Sequence, residues 1–249
     1  MFGDSLVIAL VALVACAYAS VGHGGASGYL AVFTLLGGVL REVVPVALLL
    51  NIVVASIATV HFVRSGAFDR RLLLPFVLAS VPAAWLGGRM HVPQEVFHLL
   101  LATALTAAAL RLVLVRGRAR ALRVPSDRSR WATGLPLGAG LGFLAGLTGI
   151  GGGVFLSPLL LLMRWTDARG ASAVAAVFIV CNSAAGLAGN LARLDSLDAG
   201  QLPLFAAALA GGAIGSRLGS SILPLRTLER VLAGVLVFAA VKLVLTIGA

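Results

Sequence analysis

The chain has 249 residues, of which 60% are hydrophobic and 11% charged, with a mean hydropathy of +1.05; so few polar groups cannot cover a water-soluble globule. Its net charge of +10 does not point to nucleic acid. The one dense basic block, Arg116 to Arg130, has six arginines against one aspartate, is short, lacks interleaved aromatics and separates apolar runs.

Uninterrupted apolar runs recur along the chain, and the alternating pattern that a membrane barrel needs is absent, so the expected class is an all-α polytopic membrane protein. The first run, Leu6–Val21, follows Asp4 with no Lys or Arg before Arg41. It lacks the positive segment of a signal peptide and reads as a retained helix. A glycine-rich break, Gly22-His-Gly-Gly-Ala-Ser-Gly-Tyr-Leu30, precedes a run of 12 residues, Tyr29–Leu40. Val43–Val63, Leu72–Gly88 and Val96–Val115 complete five runs.

After the basic block, which contains Pro125 and Ser126, comes Trp131–Thr148 and a second break, Gly149-Ile-Gly-Gly-Gly-Val-Phe-Leu-Ser157. It is followed by a run of 10 residues, Val154–Met163, then Ala171–Leu191, Leu202–Ser216 and Val231–Ile247. A full crossing needs about 20 residues, or about 17 at least. The two short runs are therefore expected to be second limbs of broken or re-entrant hairpins.

The halves match elsewhere too: Leu86-Gly-Gly-Arg-Met90 with Ile214-Gly-Ser-Arg-Leu218, and Leu110-Arg-Leu-Val-Leu114 with Val241-Lys-Leu-Val-Leu245, at offsets of 127 to 131 when the glycine breaks are included. One integral membrane domain is expected, with a first repeat over 1–115, a basic cytoplasmic linker over 116–130 and a second repeat over 131–249. Loop charge orients them. Arg64, Arg70 and Arg71, the linker, and Arg217, Arg226 and Arg230 all favour the cytoplasm; the equivalent loop of the other half is the poorer in both comparisons, Arg193 with Asp195 and Asp198 against the first set and Arg89 with Glu95 against the last. That is the pattern of an inverted repeat, with both termini outside the cytoplasm and the protein in the cytoplasmic (inner) membrane.

Helix breaks inside hydrocarbon expose backbone groups that cost several kcal/mol each unless satisfied, which confines them to the protein interior. Hairpins entering from opposite faces would bring the two glycine turns together, with the short helices starting near Ser27 and Val154. Helix N-termini offer free N–H groups and about half a positive charge, which suits an oxyanion. The candidate substrate-binding residues are Gly22, His23, Gly24, Gly25 and Ser27 in the first turn, and Thr148, Gly149, Gly151, Gly152 and Gly153 in the second. Asn51 in the third run and Asn182 and Ser183 in the eighth, at matching depth, complete the set; His61 and Asn190 match near run ends. For the asparagines the alternative is an interhelical hydrogen bond, and for the glycines close helix packing. Ser157 and Ser56 carry a weaker version of the same signal. His23 could donate to an anion or carry a proton, although Ile150 replaces it in the second half, and Arg89 and Arg217 read as interfacial anchors.

Cys16 and Cys181 lie within apolar runs, so neither a disulfide nor a metal framework is expected, and no cofactor. The expected partners are a small anionic substrate and membrane lipid, with a homo-oligomer left open. Gly25-Ala-Ser-Gly28 also matches the Gly-x-Ser-Gly pattern of intramembrane serine proteases, which would require a histidine on a neighbouring span; the repeat has no serine there.

At Gly146-Leu-Thr-Gly-Ile-Gly-Gly-Gly-Val-Phe-Leu-Ser-Pro158, followed by the small-residue eighth run with Asn182 and by Gly211-Gly-Ala-Ile-Gly-Ser-Arg217, the chain resembles the TauE/SafE family of sulfite and organosulfonate exporters. The resemblance covers both halves. In the first half Ala26 stands for the third glycine and Ala31 for the proline. It implies a transporter rather than an enzyme, exporting sulfite, sulfoacetate or a related small anion. Moving one negative charge out along an inside-negative potential yields about 2.3 kcal/mol per 100 mV. Asp4, Glu42, Glu95, Asp167, Asp195, Asp198 and Glu229 all fall at run ends or in loops, so uniport by alternating access is the simplest mechanism, with proton coupling through His23 or His61 as the other. The alternative is an anion channel or an accessory membrane protein.

Overall fold

The computed structural model describes residues 4–36, 40–90, 122–123, 125–189, 199–228, 230, 231, 233, 234 and 237. Among these there are helices and no strands. Helix α1 spans Ser5–Ala19 and is capped by Asp4, whose carboxylate accepts from the Leu6 N–H. α2 spans Ala26–Leu35, α3 Leu40–Arg64 and α4 Arg70–Arg89, the last capped by Asp69. α5 spans Asp127–Thr148, α6 Gly153–Met163 and α7 Ala168–Gly189. A 3-10 turn, Ala199–Gln201, leads into α8, Leu202–Arg217, which runs on through a π turn, Leu218–Ile222.

The last residues of the basic block are helical. Ser126 accepts from the Ser129 N–H and caps α5, so Asp127 to Arg130 form its first turn. Segments Pro45–Arg64, Arg70–Arg89, Ala168–Gly189 and Ala199–Ile222 are long and apolar enough to cross a membrane, and α1 and α6, at 15 and 11 residues, are shorter. The chain is a multi-pass membrane protein. The fifth run, Val96–Val115, most of the tenth, and Asn190 lie outside the described residues.

Each short helix folds back on its predecessor. Gly28 of α2 lies against Val14 and Tyr18 of α1, and Gly152, just before α6, lies against Leu141 and Ala145 of α5. Helices laid end to end would separate Val14 from Gly28 by about 20 Å, at about 1.5 Å per residue.

Helix directions follow from which residues meet. Ala12 and Cys16 of α1, and Ser20 just after it, face Gly211, Gly215 and Gly219 in turn, and Phe76, Ser80 and Ala84 of α4 face Gly138, Gly142 and Gly146 of α5. Both pairs are parallel. Val54 lies by Gly212 and His61 by Ser216, so α3 runs with α8. On the α3–α7 side, Asn51 meets Ser183, whereas Ala58 and Phe62 cluster with Ala173 and Ala176, an antiparallel register. Phe76 clusters with Phe178 and Gly88 meets Gly186, so α4 runs with α7. Helices α1, α3 and α8 thus point one way and α4, α5 and α7 the other.

The parallel pairs are backbone-to-backbone seams made by small residues one turn apart, which let helices approach closely where no hydrophobic effect drives them together. A Cβ on Gly142 would run into the Ser80 backbone. Gly142→Val is therefore expected to cost about 3 kcal/mol by overpacking, read as a lower thermal midpoint in detergent, whereas Gly140→Ala, with nothing within 4 Å of its added carbon, should leave the midpoint in place.

One end of the bundle gathers the loops whose arginines favour a common side. The Arg123 N–H donates to the Arg164 carbonyl at 2.8 Å, and Arg169 Nη2 donates to the Leu223 carbonyl at 2.8 Å. Phe68, from the loop after α3, packs on the same cluster as Trp165. At the other end of α4, the Arg89 guanidinium stacks over Trp85 at 4.6 Å.

Candidate functional site

The two glycine turns meet in the middle of the bundle. Gly22 and Gly25 in the first, and Gly149, Gly151 and Gly152 in the second, have φ between 71° and 94°, and all are buried. This left-handed backbone is what lets each chain reverse between a long and a short helix within a few residues. At Gly151 space is also decisive: a Cβ would lie 2.7 Å from Ser183 Oγ and 2.8 Å from Asn51 Nδ2.

Asn51 joins the turns. Its Oδ1 accepts from the Ala26 N–H, the first of α2, at 3.1 Å, and its Nδ2 donates to Ser183 Oγ on α7 at 2.9 Å. Gly25 has no side chain with which to cap α2, so α3 supplies the cap from outside. Gly24 packs directly on Asn51, with no room for a Cβ. α6 begins at Gly153 with no side-chain cap, leaving its first N–H groups without intrahelical partners.

His23 makes the second link. Its Nε2 lies 3.1 Å from the Gly153 carbonyl and 3.1 Å from Ser157 Oγ. A carbonyl only accepts, so Nε2 carries a proton, and Nδ1 is buried with no partner among the described residues. Thr148 closes the second turn locally: its hydroxyl donates to the Ala145 carbonyl and accepts from the Ile150 N–H.

The candidates separate in space. The turns, Asn51, Ser183 and His23 are brought together. Asn182 is turned to its own helix, its Nδ2 donating to the Phe178 carbonyl at 2.8 Å while Oδ1 is buried without a partner among the described residues; Ser183 is the residue that meets Asn51. Ser56 likewise bonds its own helix, at the Ile52 carbonyl, and His61 Nδ1 pairs with Ser216 at 2.6 Å. Ser27 bonds Tyr18 Oη at 2.9 Å, and His23 and His61 bond other partners, so among the described residues Ser27 has no histidine beside it to activate it.

Ser157, rated a weak candidate by its position alone, turns out to touch His23. Tyr18 and Tyr29 were not singled out. A signal for them existed: the chain has two tyrosines, and they flank the first glycine turn.

Comparison with known proteins bears on the whole chain. The sequence model described as Sulfite exporter TauE/SafE matches residues 7–243. A relative from Sinorhizobium fredii (strain NBRC 101917 / NGR234), named "Probable membrane transporter protein y4hK", is 37% identical over 234 residues, covering 93% of this chain and 94% of the relative. No solved structure gives a significant match.

Proposed function

The chain belongs to the TauE/SafE family of membrane transporters, and from that premise we propose that it exports a small sulfur-containing anion, such as sulfite or an organosulfonate, across the cytoplasmic membrane. The observation that carries this reading is the junction of the two glycine turns, where two short-helix N-termini meet beside Asn51, Ser183 and His23. Uncapped N–H groups and side-chain donors there suit an oxyanion without a buried cation. Gly22, Gly24, Gly25, Ser27, Thr148, Gly149, Gly151, Gly152 and Gly153 shape the cradle, and Asn182 contributes an acceptor.

The two halves are read as an inverted repeat with both termini outside the cytoplasm. Support comes from direction: α1 and α3 oppose α5 and α7, their counterparts, and the arginine-bearing loops share one end. Alternating access then follows a division other than the sequence halves. The glycine seams bind α8 to α1, and α4 to α5. One body is α1, α2, α3 and α8, the other α4, α5, α6 and α7. Both inter-turn links, Asn51 to Ser183 and His23 to α6, cross between these bodies, so rocking of one on the other would open the site to either side.

Radiolabelled sulfite in proteoliposomes tests the function. Saturable efflux with counterflow is expected. Unsaturable current would instead make the protein an anion channel, and no flux of sulfite or sulfonates would remove the substrate assignment.

A further inference from the structure

We propose that the Tyr29 hydroxyl donates a hydrogen bond to the transported anion at the N-terminus of α2, which makes Tyr29 a substrate-binding residue of the site read above. Tyr29 is wholly buried, at 0% exposure, yet its hydroxyl has no hydrogen-bond partner among the described residues. The chain's other tyrosine, Tyr18, is paired with Ser27.

The phenol end of Tyr29 lies against the start of its own helix. Its hydroxyl lies 3.0 Å from where a Cβ on Gly25 would stand, and Gly25 is the residue immediately before α2. The helix is ten residues long; the Asn51 Oδ1 occupies its first N–H, at Ala26, and the Gly28 and Tyr29 N–H groups bond the Gly25 carbonyl, which leaves the Ser27 N–H for a ligand. A free phenolic donor beside a helix N-terminus faces the kind of group that both would stabilise: an acceptor-rich anion.

A buried donor left unpaired costs stability in the empty protein and is repaid only when a ligand arrives. The ring is a separate matter, since it belongs to the buried apolar cluster that includes Val32, Phe33 and Leu50. Tyr29→Phe keeps the ring and removes the donor, so the two roles give opposite signs.

Thermal unfolding of the detergent-solubilised protein, alone and titrated with sulfite or methanesulfonate, reads both. Tyr29→Phe is expected to raise the midpoint of the empty protein by about 2–4 °C and to weaken the apparent affinity for both anions about tenfold. Thr59→Val is the control, because Thr59 Oγ1 is also buried and unpaired among the described residues. It should raise the midpoint similarly and leave affinity unchanged. Affinity within about twofold of wild type in Tyr29→Phe overturns the proposal, as does a fall in the empty protein's midpoint, which would mean that the hydroxyl has a structural partner. An equal loss of affinity in Thr59→Val overturns it too. If the wild type responds to neither anion, the substrate reading beneath it fails, a result distinct from each of these.

Discussion

Asn51→Leu is expected to abolish sulfite flux and to remove about 2–4 kcal/mol of stability. The loss has two parts. Asn51 Oδ1 caps the Ala26 N–H and its Nδ2 holds Ser183 Oγ; leucine fills the volume but leaves a helix N-terminus and a hydroxyl unpaired away from water, each costing about 1–3 kcal/mol. The two glycine turns also lose the side chain that fixes their separation. Ser183→Ala disturbs one of the two bonds and should cost about half as much. Thermal unfolding in detergent and flux in proteoliposomes measure the two effects separately. Wild-type flux in Asn51→Leu would place the anion's path away from the turns.

The second large effect concerns what moves. Spin labels at Leu13 of α1 and Leu209 of α8, both exposed, sit on opposite halves of the sequence but on one proposed body. Labels at Leu13 and at Leu78 of α4, also exposed, sit on one half but on different bodies. Electron–electron distance measurements with and without sulfite should show the Leu13–Leu209 distance constant and the Leu13–Leu78 distance changed. Rocking of intact halves predicts the reverse. The glycine seam is the physical reason for the expected outcome. Gly211, Gly215 and Gly219 bring α8 against the α1 backbone, and sliding there would lose close packing along three successive turns.

The glycine turns that frame the candidate site are legible in the sequence. The limbs after Gly25 and Gly153 are short in the sequence and short in the structure, because a helix in hydrocarbon extends as far as its apolar run and stops where glycine permits reversal. The arginines near Arg64, Arg123 and Leu223 belong to one end of the bundle, as charge counting in loops anticipates. Within the stretch read as linker, Ser126 is a helix cap, which a count of charges does not reveal. Asn182 and Ser183 both match Asn51 in depth, and the sequence does not separate them. One residue is about 100° of rotation on a helix, and that turn gives the contact to Ser183. Tyr29 went unremarked because an aromatic in an apolar run reads as core, which its ring is; only the position of its hydroxyl distinguishes it.

The amino-acid sequence by itself determined the membrane class, the duplicated glycine breaks, the family and the sharing of one end by the arginine-bearing loops, because each of these depends on local composition and on charges that stay out of hydrocarbon. Tertiary structure alone decided which side chains meet. Asn51 and Ser183 are 132 residues apart, and His23 and Ser157 are 134 apart. Such pairings depend on how the glycine seams set each helix's rotation and approach, and no local pattern encodes that.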